Sequence, residues 1–324
     1  MNLWALTPYF NASHCSRRRA NFDVFSKRFR DGIGVPLAVA ELGFGKFEIP
    51  EDAADRVLRF GGGDLMWQKE RLFNQAVPLL PVECDVVVLL DADVVFANSG
   101  AQWIEDLEKA LSKQPIVQPF TRWAYINNAE APRPKPTGSS LVRAYPQRGA
   151  IGGAWAFRRE ILENIGFYDA CVIGGGDSAT ANGWLDLGSF GLNMPARMSS
   201  KQAVHYRKWL DRARRYQGCV SCCGGTAYFI NHAPAATCGK FRGTWRLDLL
   251  IEAGFDPVRH LRLGCDGCWE WASAAPKNLR QRISGFLLGR DGVGSIASVV
   301  PKSSKGPKVK PIRGPANQPG RIRR

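Results

Sequence analysis

No stretch of this sequence approaches the roughly 18 consecutive apolar residues that mark a bilayer-crossing helix, so no transmembrane span is expected. The N-terminal run MNLWALTPYFNASHCSRRR has a short apolar core with its charges behind it, the reverse of a secretory signal, and the Asn11-Ala12-Ser13 sequon is read as incidental. A cytoplasmic setting follows as the expectation. Gly61-Gly62-Gly63 is not followed by GK[ST], which removes the phosphate-loop reading. Residues 301–324 contain no acid at all, while Lys302, Lys305, Lys308, Lys310, Arg313, Arg321, Arg323 and Arg324 supply more than half of the net charge of +15. Such a tail is expected to be disordered and solvated, and it could touch an anionic membrane face or nucleic acid. What is present in ordinary amount, 45% hydrophobic and 23% charged residues, is the composition of a soluble globular protein.

The nine cysteines are odd in number and are expected to stay reduced in the cytosol. Cys219-x-x-Cys222-Cys223 and Cys265-x-x-Cys268 have the spacing of zinc half-sites. Cys219–Phe229 also reads as two short apolar strands about Gly224-Gly225, in which cysteine serves as a small hydrophobe, and this second reading is preferred.

The chain is organised around CDVVVLLDADVVF, Cys84 to Phe96. Val86 to Leu90 is an unbroken apolar run, as in a strand buried on both faces of a parallel sheet. It ends in Asp91 and Asp93, where open α/β sheets collect ligands. Two acids this close raise each other's pKa, and hard Mg²⁺ or Mn²⁺ relieves the repulsion. Taken alone, a DxD is as often a turn cap beside a solvent-facing acid.

Around this strand an α/β pattern runs from end to end. Leu3 to Leu6 reads as a first strand running into a polar, aromatic loop at Thr7-Pro8-Tyr9-Phe10-Asn11, a seat for a base or ribose or an ordinary turn. Residues 16–31 read as a basic helix with Phe22, Phe25 and Phe29 as its core stripe. Val35 to Leu42 reads as the second strand, ending near Glu41, an acid placed to accept from a ribose hydroxyl. Leu65 to Val77 reads as helical, with Lys69 near its start where a cation could pair with a diphosphate. Ser99 and Gln102 fit a capping box before a helix with Trp103, Leu107 and Leu111 buried. Ile116 to Phe120 reads as a strand, and residues 127–140 as a long loop of the lid kind.

In the second half, Gly152-Gly153 lets the backbone approach a ligand closely. Ala156 to Ile165 reads as a helix stopped by Gly166. Gly174-Gly175-Gly176 presents Asp177 with freedom to approach a substrate, which suits a general base; a plain Gly-rich surface turn is the alternative. Lys201 to Tyr216 is a basic helix with Trp209, Leu210 and Ala213 on its apolar side. Ala227 to Ile230 is a strand delivering Asn231-His232, and Trp269-Glu270-Trp271 is assigned to the core in preference to a sugar platform.

Four pieces carry a resemblance: WQKERLFN at Trp67–Asn74; LLDADVVF at Leu89–Phe96; the run Gly149–Asp169 followed by GGGD at Gly174–Asp177; and the closing order of His232, a basic stretch, GFDP and GCWEW. In this order the chain resembles metal-dependent GT-A glycosyltransferases, close to family 2 and to the polypeptide N-acetylgalactosaminyltransferase and galactosyltransferase groups. The resemblance covers about residues 1–290. It implies an α/β fold with a mostly parallel central sheet flanked by helices, a nucleotide-binding half over about 1–125, an acceptor-side half over about 145–290 and a basic tail from 291. It further implies that Asp91, Asp93 and His232 hold Mn²⁺ or Mg²⁺ against the diphosphate of a nucleotide-sugar, with UDP the first nucleotide to consider. Asp177 would be the base of an inverting hexosyl- or N-acetylhexosaminyltransferase. Pro8, Glu41, Trp67, Lys69, Gly152 and Gly153 would lie on the donor, and a glycan, lipid-linked or protein hydroxyl would be the acceptor.

Two other readings compete. A HAD-type phosphohydrolase also uses DxD after an apolar strand, but normally after the first strand. A non-catalytic nucleotide-sugar or glycan-binding module would account for Gly176-Asp177 where inverting relatives often have Glu-Asp, and for Ala233-Pro234-Ala235-Ala236 where they often place a second His. Nucleic-acid binding through the tail is the least favoured partner class.

Overall fold

Val86–Leu90 (β4) forms the middle of a seven-stranded sheet, and every residue in it is buried, as a strand covered on both faces requires. The structure, a computed structural model, describes residues 1–127, 133–185, 187, 193–231 and 245–290. On one side of β4 lie β1 (Leu3–Phe10), β2 (Leu37–Leu42) and β3 (Arg56–Phe60), all parallel to it. On the other side lie β9 (Ala154–Arg158), which runs antiparallel to both its neighbours, then β6 (Ile116–Gln118) and β10 (Val220–Cys222). A smaller sheet takes β5 (Val94–Phe96), β11 (Thr226–Ile230), β7 (Arg122–Ile126) and β8 (Gly138–Ser139), in that order. β12 (Leu261–Leu263) and β13 (Trp269–Trp271) form a short hairpin.

Helices cover both faces of the large sheet. α1 (Ser16–Ile33) and α3 (Gly100–Leu111) pack on one face, with Phe22, Phe25, Phe29, Trp103, Leu107 and Leu111 buried there. α2 (Lys69–Ala76), α5 (Arg159–Ile165), α6 (Gly176–Trp184), α7 (Ser200–Ala213) and the later helices cover the other; α4 (Leu141–Ala144) is a single turn. The expected mostly parallel, helix-flanked α/β sheet is the architecture found. The basic helix α7 buries Trp209, Leu210 and Ala213 against the core, as its pattern indicated. Among the described residues no helix is long and apolar enough to cross a membrane.

Several local expectations are corrected. The run expected as a helix from Ala156 begins instead as a strand, β9, and only Arg159–Ile165 is helical. Trp155 and Phe157 pack on one face and Ala154 and Ala156 on the other; this large-small alternation has period two and overrides alanine's helix preference. β1 does not end at Leu6 but continues through Phe10, so Pro8 and Tyr9 belong to a strand and not to a loop. Beyond Leu6 that strand pairs with β2 alone, which tolerates a proline. The helix expected from Leu65 starts at Lys69, because the chain before it is tied to β13. There Asp64 accepts from the Trp271 amide at 2.6 Å, and the Gln68 side chain both donates to and accepts from the Trp269 backbone. Ser99 sits at the N-cap of α3 but makes no capping bond, and Gln102 donates to Asp106 instead. The two strands around Gly224-Gly225 do not pair with each other. β10 closes the large sheet and β11 crosses to the small one, with Gly225 at φ 110° making the crossing. Both tryptophans of β13 pack on the core, as expected.

Candidate active site

The end of β4 is held from two sides. The Asp91 amide donates to the carbonyl of Gly153 at 2.8 Å, and the Asp93 carbonyl accepts from the Ile230 amide at 2.9 Å. The turn carrying both acids is thereby pinned between the start of β9 and the end of β11. α2 enters from below with Lys69 at its first position, and the ammonium reaches two carboxylates, Asp91 at 2.8 Å and Asp177 at 2.6 Å. Asp177 stands in the first turn of α6, where a helix N-terminus favours negative charge. The expected freedom of Asp177 on its glycines is therefore not found: Gly174 and Gly175 take positive φ to set the helix start, and the carboxylate is ion-paired.

Glycine at 152, 153 and 176 lets this cluster close. A Cβ on Gly152 would lie 2.8 Å from Asp177 Oδ2, one on Gly153 would meet the Phe229 ring, and one on Gly176 would meet the Glu70 side chain. The close approaches that Gly152 and Gly153 permit are thus to Asp177 and Phe229.

The electrostatics follow from burial. Burial pushes the Lys69 ammonium down, but the carboxylates of Asp177, Asp91 and Glu70 outweigh it and hold its pKa well above the ordinary value. Asp91 is raised above the carboxylate range by burial first; the Lys69 charge opposes this while Asp177 and Asp93 add to it. Glu70, beside Lys69, is raised by burial in the same way, against Lys69 and with Asp177 and Asp91. Its Oε2 accepts from Trp67 Nε1 at 3.1 Å. Its Oε1, Thr180 Oγ1 and Trp184 Nε1 belong to residues lining a small space of about 30 Å³, room for one bridging water.

Two open clefts share Asp91 and Asp93. The first, about 230 Å³, is lined by Pro8, Tyr9, Phe10, Arg18, Asn21, Trp67, Lys69 and Asp177 besides them. The second, about 310 Å³, is lined by Trp123, Tyr125, Ala150, Ile151, Gly152, Gly153, Phe229 and Ile230. Of the residues singled out in the sequence, the structure brings Pro8, Trp67, Lys69, Asp91, Asp93, Gly152, Gly153 and Asp177 to this one locus. It does not bring Glu41 there. That carboxylate is 1% exposed, accepts from the amides of Glu48 and Ile49 and pairs with Arg59 at 3.2 Å, anchoring the loop after β2. His232 lies outside the described residues.

Sequence reasoning missed Arg18, Asn21, Glu70, Trp123, Tyr125 and Phe229 as site residues. The period-two pattern RWAYI of β7 was a legible strand signal for Trp123 and Tyr125; the others reach the site only through tertiary packing.

The residues present fit a hard divalent cation. Asp91 and Asp93 offer oxygen donors at the mouth of both clefts, and Mg²⁺ or Mn²⁺ normally completes its shell with water and substrate phosphates. Burial raises Asp91 first and the neighbouring Asp177 and Asp93 add to it; a dication would relieve that added repulsion. Among the described residues no group of three His, Cys, Asp or Glu side chains forms a ready-made metal set, in the cysteine pairs or here.

No protein-family model matches the sequence, and no curated protein matches it. Among solved structures, the chain is similar to glucosyl-3-phosphoglycerate synthase from Mycobacterium tuberculosis, in a complex with Mn²⁺, UDP-glucose and phosphoglyceric acid. The identity is 14%, over 78% of this chain and 79% of that one, with a TM-score of 0.38. It is also similar to residues 1–349 of S. aureus TarS in complex with UDP-GlcNAc, at 10% identity over 92% and 74% of the two chains, with a TM-score of 0.38. Likenesses this distant carry no functional weight.

Proposed function

We propose that this protein is a metal-dependent GT-A glycosyltransferase that moves a sugar from a nucleotide-sugar, UDP-linked in the first instance, to an acceptor hydroxyl. One observation carries the reading: the strand-end acids Asp91 and Asp93 share a cleft with a buried lysine and an aspartate in the first turn of α6, at the place where an α/β sheet binds its ligand. The ordered motifs that resemble the family 2, polypeptide N-acetylgalactosaminyltransferase and galactosyltransferase groups support it.

In this reading Asp91 and Asp93, with His232 by resemblance, would hold Mn²⁺ or Mg²⁺, which when bound would supply charge neutralisation for the departing nucleoside diphosphate. Lys69, paired with Asp91 and Asp177 before the donor binds, offers its positive charge to the same phosphates. As Lys69 turns to the diphosphate, Asp177 is released to take the proton of the acceptor hydroxyl. The acceptor oxygen bonds to the anomeric carbon, the bond from that carbon to the phosphate oxygen breaks, and the configuration inverts. Pro8 and Trp67 line the donor side, and Gly152 and Gly153 lie in the second cleft where it meets Asp177 and Phe229. Residues of about 1–125 form most of the donor half and about 145–290 most of the acceptor half. The sugar is a hexose or an N-acetylhexosamine. We read the basic tail from 291 as a peripheral contact for an anionic inner-face membrane in a cytoplasmic protein, with nucleic acid the less favoured partner.

A thermal-shift screen of UDP-, GDP-, dTDP- and CMP-sugars with and without Mn²⁺ tests this. The expected result is a metal-dependent rise in Tm with one nucleotide class. No shift with any nucleotide-sugar sinks the reading.

A further inference from the structure

The two clefts that meet at Asp91 and Asp93 differ in charge. The first holds Arg18 and Lys69, beside Asp177 and the two shared acids; among its described residues the second has no Lys, Arg or His, only the two carboxylates and an aromatic wall. That wall is built by register. Phe229 of β11 stands opposite Val94 of β5, next to Asp93, and opposite Tyr125 of β7. The alternate residues Val95, Ala124, Ile126, Tyr228 and Ile230 form a separate buried cluster, which turns Trp123, Tyr125 and Phe229 to the other face.

The wall is preformed. The Trp123 and Tyr125 rings meet edge to face at 5.1 Å, Phe229 lies 5.9 Å from Trp123 and 6.0 Å from Tyr125, and Trp123 Nε1 donates to the Ser139 carbonyl at 3.1 Å. Phe229 occupies the space that a side chain at Gly153 would need, which fixes it beside Asp91. Tyr125 is 40% exposed, so the wall is open to a ligand. A volume of about 310 Å³ falls at the small end of ligand sites, which run from about 300 Å³.

We propose that this aromatic cleft is the acceptor seat and that it takes a pyranose ring stacked on Tyr125 and Phe229, with its reacting hydroxyl turned to the junction of the two clefts, where Gly152 meets Asp177. The assignment rests on the transferase reading. One face of a pyranose presents C–H bonds that pack on aromatic rings, and its hydroxyls donate to carboxylates. The anionic donor is sorted into the other cleft by Arg18 and Lys69.

The test uses the full chain without donor. Saturation-transfer NMR with methyl β-glucopyranoside and methyl N-acetyl-β-glucosaminide is compared with the open-chain polyol sorbitol, which has no pyranose face to stack, and UDP-sugar binding with Mn²⁺ is measured in parallel. Neutral glycosides should bind, Tyr125→Ala and Phe229→Ala should weaken them roughly two- to tenfold, and Tyr125→Phe should not. Donor binding should be unchanged in Tyr125→Ala. Equal or better binding of sorbitol overturns the proposal, as does glycoside binding indifferent to Tyr125→Ala, or donor binding with no glycoside binding. Glycoside binding with no nucleotide-sugar binding sinks the transferase reading instead, and with it the acceptor role, leaving a carbohydrate site.

Discussion

The two clefts at the end of β4 are made in different ways. The cationic one uses the ends of the main sheet: β1 supplies Pro8, Tyr9 and Phe10, α1 supplies Arg18 and Asn21, and α2 supplies Lys69. The aromatic one uses a small second sheet that starts as the continuation of the acidic turn itself, β5, and recruits β11 and β7. The first wall is charged because strand ends and helix starts gather there; the second is apolar because alternate residues of two short strands face it. A shared pair of carboxylates between unlike walls can hold two unlike ligands at one reacting point.

The substitution that strikes both sides at once has the largest expected effect. Asp93→Asn removes charge common to the two clefts while keeping the side chain's shape, and transfer should fall about a hundred- to a thousandfold with the circular dichroism spectrum unchanged. Retained activity would separate the carboxylates from the chemistry. Lys69→Met acts on the cationic side alone. It leaves Asp91 and Asp177 facing each other without the ammonium, so kcat/KM for the donor should drop about ten- to a hundredfold while glycoside binding in the other cleft persists. Equal losses on both sides would show that the clefts are not independent. Gly153→Ala strikes the joint between β9 and the aromatic wall. With φ at 97° and the Phe229 ring in the way, it should cost about 2 kcal/mol of stability, read as a lower Tm, and weaken glycosides more than donors.

The contrast also explains which parts were legible in the sequence. β4 and its acids were readable because a strand buried on both faces needs an unbroken apolar run and its end needs polar residues; α1, α3 and α7 were readable from their helical stripes. β9 was misread since Ala-Trp-Ala-Phe has no polar residue to mark its period, and only a two-sided core distinguishes it from a buried helix segment. The start of α2 was misplaced because Asp64 and Gln68 answer to β13, some two hundred residues away in the chain. Lys69 was readable as a cation near a diphosphate site, but its two carboxylate partners were not, since Asp177 arrives from another element. The aromatic wall depends on the pairing of β11 with both β5 and β7, a register that no local pattern states.

The smallest expected effect concerns the floor beneath the cationic cleft. Glu70 is 3% exposed, and its proton affinity in the folded protein is raised by burial, against Lys69 and with the help of Asp177 and Asp91. The folded state therefore keeps a proton that the unfolded chain gives up in the ordinary carboxylate range. The stability this supplies is complete below that range and is lost as pH rises toward the folded value. Glu70→Gln stays neutral throughout and keeps an oxygen to accept from Trp67 Nε1. The fall in Tm between about pH 5 and about pH 8 should thus be shallower in the variant, by the equivalent of about 1 kcal/mol. Glycoside binding in the aromatic cleft should not change at either pH. An unaltered pH slope would mean that Glu70 is ionised against Lys69, and that the cationic wall carries one positive charge fewer than its residues suggest.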